Sequence, residues 1–251
     1  MLQQQTIDTL NGLKLYGMAA EFQRQLNSPE LLDLAFEQRL GMLSDAEVHD
    51  KEQRRQDRAL KAAKLAIPNA CVEDIDYRKS RGLDKAYLQS LFSGEWVNRK
   101  QHVLITGSTG VGKSYIACAL AHQGMRQGYS ALFYRAPRLI EDMEIARLDG
   151  SLPKLRIRLM KFKLLVIDDW ALSPLSPHSQ QDLLEIIEDR TGKGSLIITS
   201  QLPISKWHDY IGEPTFADAI MDRIIHRAHK IELHGGSMRK VFNTLKESHN
   251  E

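Results

Sequence analysis

The sequence predicts an α/β protein in which a parallel sheet flanked by helices carries a phosphate loop, preceded by a small all-α domain. Three observations predict it. A short β-branched run, Val103 to Thr106, leads directly into Gly107–Ser114, which fits G-x-x-x-x-G-K-[ST], and then into an apolar helical stretch reaching Ala121. Beyond it, strand-like and helix-like segments alternate as far as Leu233, the pattern of a parallel sheet covered on both faces. Ahead of it, residues 1 to about 65 repeat apolar positions at helical spacing.

In chain order, Leu10, Leu13, Met18, Phe22 and Leu26 form one expected amphipathic stripe, and Leu31, Leu34, Phe36 and Leu40 another. Ser28 before Pro29 reads as a helix cap and first-turn pair. A further helix is expected from Ser44 to about Leu65, with Asp45 and Glu47 in its first turn. Pro68 and the acidic stretch Val72–Asp76 break this pattern, so 1–65 is read as a helical domain for partner or DNA binding, 66–80 as a linker and 81–251 as the nucleotide-binding domain. Gly82–Leu91 suggests a short helix before the first strand. Later strands are expected at Ser130–Arg135, Leu164–Asp168, Ser195–Ser200 and Lys230–Leu233, and helices at Pro137–Leu148, 178–190 and Phe216–Arg227.

The chemistry concentrates at strand ends. Glycines 107, 110 and 112 can adopt backbone angles closed to other residues, so Gly107, Ser108, Thr109, Gly110, Val111, Gly112, Lys113, Ser114 and Tyr115 are expected to wrap a triphosphate. Lys113 would reach the outer phosphates, and the Ser114 hydroxyl would ligate Mg²⁺. Four apolar residues followed by Asp168 and Asp169 supply the second nucleotide signal: Asp168 to hold Mg²⁺, and Asp169 to orient and deprotonate the attacking water. At the end of the fourth strand, Gln201 or Ser200 could hydrogen-bond the γ-phosphate or that water. Arg223 and Arg227, four apart on a helix, repel unless an anion lies between them; a γ-phosphate on a neighbouring copy would make Arg223 an arginine finger. Arg239 follows a flexible Gly-Gly-Ser and is a further phosphate-sensing candidate.

A net charge of +2 says nothing about nucleic acid by itself, so position has to carry that argument. Lys51, Arg54, Arg55, Arg58 and Lys61 fall on one helical face, and Lys154, Arg158 and Lys161 on another; both suit contact with a phosphate backbone. The two cysteines and nine scattered histidines show no metal-ligand spacing, and Cys118 reads as a buried free thiol. No apolar run is long enough to span a membrane and the start lacks a signal-peptide pattern, so a cytoplasmic protein is expected.

With these residues assembled, the sequence resembles the IstB family, the ATP-binding helper proteins encoded beside the transposase in one class of bacterial insertion sequences. It is more distantly similar to DnaC helicase loaders and DnaA-type AAA+ ATPases. The resemblance covers nearly the whole chain and rests on LYGMAAEFQRQL (15–26), RGLDKAYLQSL (81–91), GSTGVGKSYIACAL, LLVIDDWALSPL (164–175), IITSQLPISKWHDYIG (197–212), ADAIMDRIIHRAHKIEL (217–233) and GSMRK (236–240). The SQLP-x-x-x-W-H and ADAI-x-D-R runs are far more specific than the phosphate loop. The resemblance implies a P-loop AAA+ fold, with Arg223 as the trans-acting arginine and Arg239 as the sensor arginine. It also implies ATP-dependent self-assembly on duplex DNA, target choice and stimulation of a partner transposase. Ser114 stands where threonine is commoner, and Asp169 where many AAA+ ATPases carry glutamate, a shorter reach that suits slow hydrolysis. The other readings are a helicase loader built on the same engine and a small-molecule kinase; a GTPase lacks support because no N-K-x-D motif is present.

Overall fold

A computed structural model describes residues 2–77 and 82–238, apart from the side chain of Leu32. The chain divides into two compact units, Met1–Ala59 and Leu60–Glu251.

The first unit is helical. It contains α1 (Leu2–Gly12), α2 (Tyr16–Asn27), the single turn α3 (Pro29–Leu32) and most of α4 (Phe36–Ala63). The expected stripe from Leu10 to Leu26 is cut at Lys14, whose φ of 61° ends α1 while Leu15 N–H donates to Leu10 O at 2.9 Å. Ser28 makes no side-chain cap, and the helix after it is one turn long. Ser44 does not start a helix either: its hydroxyl donates to Leu40 O at 3.0 Å inside α4, which begins eight residues earlier. Asp45 and Glu47 therefore lie mid-helix. Gly17 lets α2 approach α4 so closely that a Cβ there would sit 2.4 Å from Ala46 O. That approach puts the buried Glu47 carboxylate at the start of α2, where Oε2 accepts Met18 N–H at 3.1 Å. Leu15 cannot cap α2 with its side chain, so a carboxylate from another helix does so.

The second unit is built on a five-stranded parallel sheet of order β2-β3-β4-β1-β5, from β1 (His102–Gly107), β2 (Ala131–Arg135), β3 (Leu164–Trp170), β4 (Ser195–Ser200) and β5 (Ala228–Leu233). The helices are α5 (Lys85–Leu91), α6 (Glu95–Asn98), α7 (Lys113–Arg126), α8 (Ala136–Leu148), α9 (Leu152–Met160), α10 (Pro177–Arg190), α11 (Trp207–Ile211) and α12 (Pro214–Ile225). β1, β3 and β4 lie inside the sheet, which is why VLI, LLVI and LII within them are apolar on both faces and fully buried. Asp84 and Ser176 cap α5 and α10 through side chains that accept Tyr87 N–H and Ser179 N–H. Because α12 stops at Ile225, Arg227 falls beyond it, and the expected helical pairing of Arg223 with Arg227 does not form.

The described part of the stretch expected as a linker, 66–77, is seated on α7. Val72 and Ile75 are buried, the Tyr115 hydroxyl donates to Cys71 O at 3.4 Å, His122 Nδ1 lies 3.0 Å from Ala70 O, and Arg126 pairs with Glu73 at 2.6 Å. Cys118 lies in the core with its thiol pushed up to about 11 by burial, and both cysteines are free. Arg190 is also fully buried, and its guanidinium donates to the carbonyls of Leu159, Phe162, Lys163 and Ser195, tying the ends of α9, β3 and β4 together. Among the described residues no helix is long and apolar enough to cross a membrane.

Candidate functional site

β1 ends at Gly107, where φ is 144° and an added Cβ would lie 2.3 Å from Leu233 O on the adjacent strand, so only glycine lets the loop leave the sheet there. Gly110 and Gly112, with φ of 83° and 99°, complete the turn into α7. The loop and the first turn of α7 line a cavity of about 220 Å³, closed by Ile67, Asp169, Gln201 and Met238. A helix start and a glycine-rich loop around one cavity make a phosphate cradle. Lys113 is 6% exposed, and its ammonium donates to Ser108 O across the loop at 2.9 Å.

β3 and β4 bring the acidic side of the site. Ser114 Oγ donates to both oxygens of Asp168, at 2.8 and 2.9 Å, and Thr199 Oγ1 donates to Asp168 Oδ1. Burial pushes the Asp168 carboxyl above the ordinary aspartate value, and the two hydroxyl donors work against that shift. A hydroxyl and a carboxylate whose charge is poorly compensated suit a hard divalent cation, so these residues fit Mg²⁺. Asp169 is set apart from its neighbour by its backbone. Its φ is 59°, the β3–β4 register shifts between Ile167 and Trp170, and its N–H donates to Thr199 Oγ1 at 3.1 Å. The carboxylate turns to β2, where Arg135 Nε and Nη2 donate to Oδ2 at 3.1 and 2.7 Å. Gln201 reaches the loop and accepts the Thr109 hydroxyl at 2.7 Å.

Most of the chain also matches known proteins. Residues 8–245 match the family described as IstB-like ATP binding protein. The chain belongs to that family. An insertion sequence ATP-binding protein of Sinorhizobium fredii, y4pL, is 45% identical over 96% of this chain and 98% of its own length. A second, from insertion sequence IS1162 of Pseudomonas fluorescens, is 45% identical over 82% of this chain and 89% of its own. Among solved structures, DnaI is similar with a TM-score of 0.56 at 21% identity, covering 70% of this chain and 93% of that one. DnaA bound to AMPPCP and single-stranded DNA gives 0.59 at 16% identity, covering 74% of this chain and 57% of that one. At such identities the likeness shows the fold, a P-loop AAA+ sheet flanked by helices.

In this IstB-like chain the loop residues, Lys113, Ser114, Asp168, Asp169 and Gln201 gather around one place, whereas other candidates sit elsewhere. Ser200 is buried beneath the site with its hydroxyl donating to Trp170 O at 2.8 Å, so it supports the strand end and does not face the cavity. Tyr115 lines the cavity. Arg223 lies on α12 in a separate depression, with Nη2 donating to Glu188 at 2.6 Å and Nη1 to Ala219 O at 2.8 Å. Arg239 lies outside the described residues. Of the basic stripe on α4, Arg54 is committed locally: it pairs with Asp50 and stands 4.6 Å over the Tyr16 ring. Lys51 lies 3.4 Å from Glu47, while Arg55, Arg58 and Lys61 face solvent. Lys154, Arg158 and Lys161 are exposed on and just beyond α9, whose opposite face holds Arg156 against Glu185 and Asp189 on α10. Sequence reasoning missed Arg135 and the bridging role of Thr199, because both matter only through strand adjacency. The SQLP-x-x-x-W-H motif proves partly architectural. Trp207 is fully buried, donates to Leu202 O at 2.9 Å and packs 5.5 Å from Trp170.

Proposed function

We propose that this chain is an ATPase that assembles on duplex DNA as an oligomer and hands the target to the transposase of its insertion sequence. The observation that carries the reading is the division of the machinery. Lys113, Ser114, Asp169 and Gln201 line one cavity, Asp168 is tied to its edge through the Ser114 hydroxyl, and Arg223 lies outside it on α12. Among the described residues lining that cavity Lys113 is the one cation, and an arginine from another copy would add positive charge at the γ-phosphate. The insertion-sequence names of the relatives support the transposase partner.

In this reading the loop N–H groups and Lys113 hold the β- and γ-phosphates, and Ile67, Tyr115 and Met238 give the nucleoside an apolar wall. Mg²⁺, held by Ser114 and Asp168, supplies charge neutralisation on those phosphates. Gln201 positions the attacking water, Asp169 accepts its proton, and the arginine finger steadies the charge on the leaving group. Arg239 acts as a second phosphate sensor. The amino-terminal unit, with Lys51, Arg54, Arg55, Arg58 and Lys61, contributes to DNA or transposase contact. Arg54 is the weakest of these because its charge is already paired.

The test is complementation. Arg223→Ala and Lys113→Ala should each lose ATPase activity alone, and their mixture should regain a measurable part, since each defect would lie on a different side of a shared site. A mixture as inactive as its components, or a species that stays monomeric with ATP and duplex DNA by light scattering, would sink the reading. Capture of a hexameric helicase in place of the transposase would turn it into a helicase loader.

A further inference from the structure

The last register pair of β1 and β5 is Gly107 with Leu233, and both chains leave the sheet from there. A few positions further along each, they meet again: the Met238 N–H donates to Gly110 O at 2.8 Å. Between these two points the stretch after β5 runs beside the phosphate loop. A Cβ added at Gly110 would lie 2.8 Å from Ser237 Cβ and 3.2 Å from Ser237 Cα, so the two chains touch there as well. The start of this strap is fixed. Leu233 is buried, and His234 packs so tightly on Gly82 that a Cβ there would stand 2.6 Å from the imidazole.

A phosphate cradle works by turning N–H groups inward, so a loop carbonyl that turned with them would set the negative end of its dipole against the anion. The three loop glycines are not equally exposed to that failure. Gly107 is held by its register with Leu233, and Gly112 O accepts Ile116 N–H at 3.1 Å in the first turn of α7. Gly110 lies in neither sheet nor helix, with a left-handed φ of 83°, and glycine leaves the next torsion loosely determined. Its peptide needs a partner from elsewhere. In a trans peptide the Gly110 C=O and the Val111 N–H point in opposite directions, so a donor that holds the carbonyl also fixes where that N–H points.

We propose that the Met238 main-chain N–H is a latch on the phosphate cradle, a positioning group that keeps the Gly110 carbonyl turned to the strap and away from bound phosphates. Nucleotide affinity then depends on the seating of the chain after β5. The identity of the anion rests on the ATPase reading. The latch acts through the backbone, unlike the side-chain contact assigned to Arg239, and it bears on ATP and ADP alike. Unseating the strap therefore favours nucleotide release without touching the groups that cleave the bond. The coupling is reciprocal: the factor by which the latch tightens phosphate binding is the factor by which bound phosphate tightens the latch.

The test uses the full chain, with inorganic tripolyphosphate as a probe that has phosphates and no nucleoside. Met238→Pro removes the donor, and Met238 has helical backbone geometry that the fixed φ of proline can meet. Met238→Ala keeps the N–H but removes the side chain that lines the cavity. Both variants should weaken ATP binding, whereas only Met238→Pro should weaken tripolyphosphate, about tenfold by calorimetry. In the unaltered protein, isotope-labelled at its methionine amides, tripolyphosphate should slow hydrogen exchange at Met238 by about the same factor. The Met18 amide, bonded to Glu47, serves as the reference that does not change. This second measurement decides the matter if the proline variant folds poorly. Equal tripolyphosphate affinity in Met238→Pro and wild type, or a Met238 amide indifferent to tripolyphosphate, would overturn the latch. A wild-type chain that binds neither ATP nor tripolyphosphate would remove the ATPase reading instead, a result distinct from both.

Discussion

The two units solve the same problem, burying enough surface to hold a shape, by different means. The Leu60–Glu251 unit does it with apolar strands: Val103 to Ile105, Leu164 to Ile167 and Leu196 to Ile198 are each no more than 1% exposed. In the Met1–Ala59 unit, Ala19 is the single hydrophobic residue that is fully buried among those described, and Glu21, Gln25 and Glu47 are buried with it. Leu2, Leu13 and Phe36 there are 65–79% exposed. The Leu60–Glu251 unit is therefore held by area, and the helical unit by a few directional contacts. The first kind of stability spreads a mutation's cost over many neighbours; the second concentrates it.

Substitutions can break that contrast. The largest effect is expected from Lys113→Ala, which removes a buried charge from the phosphate cradle and should lower ATP affinity about a hundredfold or more. The thermal transition of the helical unit should stay where it was; a shift there would mean the units do not melt separately. Next is Arg190→Met, which removes the guanidinium that donates to four carbonyls and should destabilise the Leu60–Glu251 unit by about 3 kcal/mol in urea unfolding. A loss near zero would show that area alone suffices in this unit.

Glu47→Ala sharpens the other side, because it removes the cap of α2 and should cost the helical unit about 1–2 kcal/mol. The same contact sets a pH dependence. Burial alone would raise the Glu47 carboxyl, but hydrogen bonds from Met18 and Gly17 N–H and from Lys51 outweigh it and hold the group below its ordinary value. A carboxyl lowered on folding contributes stability above its unfolded value and loses it as pH falls through the folded one. The helical unit should therefore weaken as the solution is acidified below the ordinary glutamate range, and Glu47→Gln should flatten that decline. The smallest effect is expected from Glu188→Gln. Its half-exposed pair with Arg223 is worth less than about 1 kcal/mol, so turnover should change by no more than a few-fold. A complete loss of activity would make Glu188 a positioning residue for Arg223.

Much of the Leu60–Glu251 unit was legible in the sequence because its signals are local. Strand, glycine loop and helix follow one another in Val103–Ala121, and β4 runs over the expected Ser195–Ser200. The helical unit was less legible for the reason that makes it different. Ser28 and Ser44 carry the right chemistry for caps, yet Ser44 bonds back to Leu40 O inside α4 and the working cap of α2 is Glu47, twenty-nine positions from Met18. Stripe spacing put Arg54 with its basic neighbours, but spacing cannot report that Tyr16 and Asp50 already occupy it.

Within the site the same division holds. Glycine spacing and the paired aspartates were enough to place the phosphate loop and to propose Asp168 as metal ligand and Asp169 as base, since each reading rests on neighbours along the chain. Whether Asp169 stands free or is held, and by what, was decided by strand order: β2 lies next to β3, so Arg135 meets a carboxylate thirty-four residues away. Backbone conformation is governed by short-range sterics that a sequence displays directly. The partner of a charged side chain is governed by which distant segment the core brings alongside it, and that only the folded molecule determines.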